Sequence, residues 1–423
     1  MSALSDPLPA LRPDLDLMPS PVPDRPGLLI RDPMGYATAV LIVPPPLVPV
    51  LALFDGARPA GDLREALARL TGRVDAGAIA DELRGSLEES GFLRSETFEQ
   101  RRREKHAAFA AAPVRAAAHA GGGYPEEPAA ISATLEAWLR GSAGGSRNGV
   151  LGVAAPHVSP DGGFRSYAAA YSALGPGLGE KTFAVLGTSH YGEPERIGLT
   201  RKPYATPLGE TRVDRERVEA LAGRVGPAAV MEDYCHAVEH SIEFQVLFLQ
   251  HLYGPRVRVL PVLCGPFVRS LSRGYPDDDP RTGRAIDALA ELARDEDVAW
   301  VLGIDMAHVG RRYGDREPAR AEQGPMRDVA RRDRERLDRV AAGDARGFWD
   351  LIREGEDDLR WCGSAPLYAF LRGVRPAAAE LLRYEQWNID EGSVVSFAAL
   401  RFLRPEGGAE TRARSPDRTG RAE

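Results

Sequence analysis

The chain reads as an α/β protein: a layered domain on a largely parallel sheet, preceded by a small compact unit. Two observations predict this. From Gly149 onward, short apolar runs alternate with amphipathic stretches, and such alternation stacks helices on a mostly parallel sheet. Three of the runs, VLGVAAPH, FAVLGTSH and VAWVLGIDMAH, end on a histidine, at His157, His190 and His308. Each reads as a buried strand, so each histidine falls where a strand's carboxyl end opens into a loop. That edge is where open α/β sheets bind ligands.

Taken in order, residues 1–27 are Pro-rich and lack apolar periodicity, which reads as a flexible segment. Residues 28–97 form the compact unit. LLIRDP and YATAVLIVPPPLVPVLALFDG give short extended runs broken by a proline triplet, and DLREALARL and AGAIADELRGSLEESGFL give amphipathic helices. Asp62 and Asp75 stand as N-caps. Residues 98–118 read as a charged, solvated helical connector. The larger domain, residues 119–405, opens with a Gly-rich turn and a helix ending near Arg140. It continues with strands VLGVAAP, FAVLGTS, VRVLPVLCG and VAWVLGID among helices YAAAYSALG, RERVEALAGRV, SIEFQVLFLQHLYG, RAIDALAELARD and GFWDLIREG. The segment WCGSAPLYAFLRGV and two closing strand candidates, AELLRYEQWNI and SVVSFAALRFL, complete it. The polar tail, residues 406–423, reads as disordered.

A hydrophobic fraction of 43% and a charged fraction of 27% are ordinary for a globular protein. The net charge of −7 gives no basic field, so nucleic acid is not an implied partner. No apolar run approaches the roughly 18 residues of a spanning helix, and the first residues have neither a basic n-region nor an apolar h-region. A cytoplasmic location is therefore expected, with no membrane partner. Three cysteines without CxxC spacing exclude a disulfide framework and a cysteine-only zinc site.

The strand-end histidines are the first candidates for chemistry. Pro156 ends ladder bonding, so His157 begins a loop; Gly162 to Phe164 would then lend that loop freedom to approach a ligand. A lone histidine there is more often structural, but three at one sheet edge are poorly explained by packing. Asp305 precedes His308 by three residues, spacing that suits a proton carrier beside an orienting carboxylate. In EHSIE, Glu239 to Glu243, a capping arrangement would absorb Ser241 and one glutamate without needing His240. Cys362 lies in a turn opening a helix, where a thiolate is stabilised, and both structural and functional roles stay open. Cys235 and Cys264 read as buried small hydrophobes.

Two resemblances add to this. Residues 28–97, with FDG, a helix and GFL, resemble the small winged-helix modules of the PqqD type. That implies a winged-helix-like α+β domain with a peptide or protein ligand; a structural cap is the alternative. Roughly residues 119–405 resemble the Memo family, called AmmeMemoRadiSam system protein B in bacteria. The ordered motifs are HAGGGYP at 119–125, APH at 155–157, LGTSH at 186–190, TPLG at 206–209, EHSIE at 239–243, VLPVLCG at 259–265, GIDMAH at 303–308, CGSAP at 362–366 and YEQWN at 384–388.

The Memo resemblance implies a three-layer domain with a mixed central sheet, as in class III extradiol dioxygenases of the LigB type. It implies one transition metal, iron or copper ahead of zinc, held by His157, His190 and Cys362. His308 would be acid/base or a hydrogen-bond donor, Asp305 would fix its orientation, and His240 and Glu243 would stand behind the ligands. A thiolate where the dioxygenases have a carboxylate softens the site and puts ring cleavage in doubt. The stretch HVSPDGGFRSY also departs from the family pattern as a longer loop after His157. Implied partners are a radical-SAM enzyme and AmmeMemoRadiSam system protein A. The expected function is a metal-dependent oxidoreductase acting on a small molecule or presented peptide. A non-enzymatic adaptor or metal-handling protein is the alternative, with a zinc hydrolase using Asp305 as base behind it.

Overall fold

The computed structural model describes residues 5–37, 39–72, 76–141, 145 and 149–404. A small antiparallel sheet, β1 (Asp16–Pro19), β2 (Leu28–Arg31) and β3 (Val40–Val43), comes first, followed by α1 (Ala60–Thr71) and α2 (Ala76–Glu89). They share a core that includes Ile30, Val43, Leu63, Leu67, Leu83 and Leu87. Helix α3 (Glu96–Ala111) leads on to α4 (Pro128–Leu139) and the larger sheet.

That sheet begins with β4 (Val150–Ala155), α5 (Pro160–Tyr171), β5 (Thr182–Thr188) and β6 (Ile197–Leu199). The short strands β7 (Ala205–Thr206), β8 (Gly209–Glu210) and β9 (Arg212–Val213) precede α6 (Arg215–Val225) and β10 (Ala229–Met231). Next come α7 (Cys235–Val238), α8 (Glu243–Tyr253), β11 (Arg258–Cys264), α9 (Val268–Arg273), α10 (Pro280–Leu292), β12 (Val298–Gly303) and β13 (His308–Gly310). Helices α11 (Met326–Ala341), α12 (Ala345–Arg353) and α13 (Ser364–Gly373) and the hairpin β14 (Ala378–Asp390)–β15 (Ser393–Leu403) complete the chain.

The strand order is β10-β6-β11-β5-β12-β4-β15-β13, with β14 on β15 and β9 on β11. The middle four strands, β11, β5, β12 and β4, run parallel, while β15 pairs antiparallel with both β4 and β13, and β6 pairs antiparallel with β11. The sheet is thus mixed, with a parallel centre. Every residue of β4, β5 and β12 is buried, as a strand covered on both faces requires. Leu186, Trp300 and Leu302 enter one core cluster, whereas Phe183, Val185 and Val301 enter the other. Helices α6, α10, α11, α12 and α13 contribute to the first, and α4, α5 and α8 to the second. This is the expected three-layer arrangement.

Several expectations change. Residues 1–27 were expected to be loose. Instead β1 pairs with β2, Leu11 bridges to Leu93, and Leu8, Arg12 and Leu15 are buried. The proline-interrupted run continues past β3 as a 3-10 helix, Pro45–Leu53, since proline cannot donate to a sheet. Asp62 lies inside the first turn of α1 rather than at its cap; Asp75 and the 406–423 tail fall outside the described residues. The connector is largely helix, capped by Ser95, but its Phe98 and Phe109 are buried.

The supposed longer loop after His157 becomes helix at Pro160, so Gly162 and Gly163 lie within α5. Their glycine character serves close packing: a Cβ at Gly162 would fall 2.6 Å from the Trp387 ring.

Candidate metal centre

Register sets the geometry. Gly303 pairs with both Ala155 and Gly187, and Cys264 with Thr188, so the parallel strands end level. The residues just past three of these ends are His157, His190 and Asp305. The turn between α7 and α8 closes over the same edge because β5 and β12 offer it glycines. A Cβ at Gly303 would lie 2.0 Å from the Ser241 carbonyl oxygen, and one at Gly187 would lie 2.5 Å from Ser241 Oγ. That turn delivers His240.

The rings of His157, His190 and His240 form a triangle with centroid separations of 5.0, 5.2 and 5.0 Å. One ligand atom from each lies within 4.8 Å of the others, the group among the described residues able to hold a metal ion. His157 Nδ1 is 2.9 Å from the Gly303 carbonyl oxygen. Donating there leaves Nε2 bare. His190 Nδ1 is 2.8 Å from Glu239 Oε2, and the His190 backbone N–H donates to the other carboxylate oxygen. Such outer bonds fix the tautomer and orientation of metal-binding histidines. His190 and His240 keep 27% and 32% of their side chains exposed against 2% for His157, so the triangle opens on one side.

Cys362 joins this group. Its Sγ lies 3.3 Å from His157 Nε2 and 3.7 Å from the Asp305 carbonyl oxygen. Gly363 permits the approach, since a Cβ there would fall 2.6 Å from that same oxygen. Burial would raise the Cys362 thiol, but His157 and His190 outweigh it and hold the thiol below its ordinary range. Desolvation would lower His190, but Glu239 and Cys362 outweigh it and raise that imidazole well above its usual value. Burial and the neighbouring histidines push His240 well below its usual value.

The remaining candidates are placed differently from expectation. Asp305 Oδ1 accepts from the His157 backbone N–H at 2.9 Å, and Oδ2 lies 3.5 Å from His157 Nε2. Burial pushes the Asp305 carboxyl up to about 6. His308 is oriented by backbone rather than by Asp305: its Nδ1 lies 2.9 Å from the Met306 carbonyl oxygen and 3.1 Å from that of Arg360. Glu243 is spent elsewhere. Its carboxylate pairs with buried Arg115 and accepts from Tyr124 OH and from the backbone N–H groups of Ala118 and His119. It anchors the segment that sets the His119 ring 5.6 Å from His240. Ser241 does not cap a helix; its hydroxyl donates to the Thr188 carbonyl at 2.7 Å.

Glu239 is the site residue that sequence reasoning missed. Its only signal was its place beside His240, where an acid before a helix reads as a cap. His119, within the HAGGGYP motif, was likewise not singled out. Cys235 and Cys264 are buried, as expected. A cleft of about 860 Å³ begins one residue past His190, at Tyr191, and is bounded across from it by Arg12, Tyr36, Phe98 and His106.

The sequence profile of the family described as "Memo-like protein" matches residues 115–401. A "MEMO1 family protein" of Aquifex aeolicus is 26% identical over 378 residues, covering 88% of this chain and 95% of the relative. That extent exceeds everything after residue 115, so the likeness reaches into the N-terminal unit. "MEMO1 family protein TK1477" of Thermococcus kodakarensis is 32% identical over 310 residues, covering 69% of this chain and 100% of the relative. Among solved structures, an uncharacterized protein, JW3007, from Escherichia coli K12 overlaps at a TM-score of 0.33 with 13% identity, covering 53% of this chain and 89% of that one. A likeness of that order carries no assignment.

Proposed function

The chain belongs to the Memo-like family, and on that premise we propose that it holds one transition-metal ion and uses it in redox chemistry on a small molecule. His157, His190 and His240 would hold the ion, with the Cys362 thiolate alongside. The observation that carries this reading is the convergence of three imidazoles within 4.8 Å, two with Nδ1 already engaged by the protein.

Imidazole and thiolate together suit iron, copper and zinc. Iron and copper come first because they add redox chemistry to the Lewis acidity all three supply when bound. The partial exposure of His190 and His240 supports a centre open to a substrate, whereas structural zinc sites are closed. Glu239 and the Gly303 carbonyl would hold two ligand rings fixed. His308, with Nδ1 given to backbone carbonyls, would present Nε2 to hold or pass a proton. The radical-SAM enzyme and system protein A stay part of the proposal as partners.

The test is metal analysis of anaerobically purified protein and of His157→Ala, His190→Ala, His240→Ala and Cys362→Ala. About one equivalent of iron or copper is expected in the unaltered protein, lost in the histidine variants. Stoichiometric metal surviving all three histidine substitutions would refute the ligand set. Loss in His157→Ala, His190→Ala and Cys362→Ala with retention in His240→Ala would make the thiolate, not His240, the third donor.

A further inference from the structure

One buried carboxylate lies outside the metal centre and yet ties two of its walls together. Asp333 on α11 is fully buried, and its oxygens accept from three side chains distant in sequence. Trp361 Nε1 donates to Oδ1 at 2.7 Å, while Ser396 Oγ and Tyr384 OH donate to Oδ2 at 2.7 and 2.9 Å. Burying a carboxylate is unfavourable unless its hydrogen bonds are made, and here both oxygens are engaged.

Two of the donors lead directly to the site. Trp361 is the residue before Cys362. The Ser396 hydroxyl, having given its proton to Asp333, accepts from the Ala307 N–H at 2.9 Å, and the Ser396 carbonyl accepts from the Met306 N–H at 2.8 Å. Asp333 therefore links the segment carrying Cys362 to the segment carrying Asp305 and His308.

The backbone approaching Trp361 needs such an anchor. Glu356, Asp357 and Arg360 adopt φ of 50°, 54° and 52°, a region that non-glycine residues occupy only under constraint. Trp361 is held at both ends, its N–H by Asp357 at 2.8 Å and its indole by Asp333.

We propose that Asp333 is a positioning residue for the metal centre: through Trp361 it fixes Cys362 Sγ beside His157, and through Ser396 it holds the Asp305–His308 segment opposite. This rests on the proposed role of Cys362 at the metal.

The full-length protein loaded with Co(II) tests it, because a cobalt-bound thiolate gives a near-ultraviolet charge-transfer band. Asp333→Asn and Trp361→Phe are compared with the unaltered protein for circular dichroism, cobalt stoichiometry, affinity by chelator competition, and that band. Folded variants should bind cobalt about 10- to 100-fold more weakly, as for lost outer-shell bonds, with a diminished thiolate band. The double variant should be no worse than Asp333→Asn. If Asp333→Asn does not fold, Trp361→Phe, which removes the indole donor together with part of the ring, decides the matter. A full-strength band and unaltered affinity in Trp361→Phe would overturn the positioning role. A missing band in the unaltered protein, or one that survives Cys362→Ala, would overturn the role of Cys362 itself and this proposal with it.

Discussion

Glu239 engages His190 through ring and backbone together, and the protonation of the pair follows from that. In metal-free protein the His190 pKa is raised by Glu239 and Cys362. The imidazolium therefore adds stability that is fully present below its unfolded value, about 6.5, and is lost as pH rises through the folded value. A metal ligand must be deprotonated, so metal uptake should release a proton, with affinity growing as pH rises toward that folded value. Calorimetry in buffers of different ionisation enthalpy would count that proton. Glu239→Gln should lower the His190 pKa, flatten the pH dependence near neutrality and weaken metal binding by roughly 10- to 100-fold. Unchanged proton release in this variant would show that Glu239 does not control His190. The gathering of His157, His190, Asp305 and Cys362 was legible because each stands just past a strand or at a helix-opening turn, whereas His308, expected at a strand's carboxyl end, opens β13. Glu239 was not legible, because an acid before a helix has a sufficient local explanation. Glu243 was misread for the complementary reason: its partners Arg115 and Tyr124 lie over a hundred residues away.

Elements were legible where burial leaves a simple pattern. Strands β4, β5 and β12, covered on both faces, read as unbroken apolar runs. Helix α11 did not stand out, because its inward face includes Asp333 and Arg336 beside Met326, Val329, Leu337 and Val340, and buried charge disguises an apolar stripe. The start of α5 was hidden by Gly162 and Gly163, which look like a flexible loop until Trp387 from β14 packs against Gly162 and Val158 against Gly163. Gly162→Ala should therefore destabilise the protein by about 1–3 kcal/mol, as overpacking does, despite alanine's better helix propensity. Denaturant unfolding would measure it; a stabilised variant would mean the Trp387 contact yields freely. Gly303→Ala should be worse for the metal centre, since the obstacle is Ser241 backbone rather than a movable ring. Its metal content should fall along with its melting temperature.

At the scale of the whole molecule, the small N-terminal unit is packed onto the larger sheet rather than tethered to it. Met34, Tyr36, Phe98 and Phe109 belong to the same apolar cluster as β5 and α8. Tyr234 OH donates to the Met34 carbonyl at 2.9 Å, and Lys202 Nζ donates to the Ala110 and Ala112 carbonyls at 3.0 and 2.7 Å. Such docking was not legible, because α3 shows a charged surface and only two aromatic residues turn inward. Removing residues 1–111 should expose Tyr234 and strip away four large apolar side chains, each worth about 1.5–3 kcal/mol when buried. The remainder should melt at lower temperature and bind a hydrophobic dye; an unchanged melting temperature would show that the docking contributes nothing. The fully covered Thermococcus kodakarensis relative matches only 69% of this chain. The N-terminal unit lies before the residues that the family profile covers, 115–401.

The level ends of β4, β5 and β12 divide responsibility within the protein. The backbone positions of His157 and His190 are dictated by ladder register, while the surroundings that a bound molecule would meet come from α3, the α7–α8 turn and the segment before α13. Divergence, or an engineer, could therefore exchange those surroundings to change selectivity while leaving the two strand-end donors where they are.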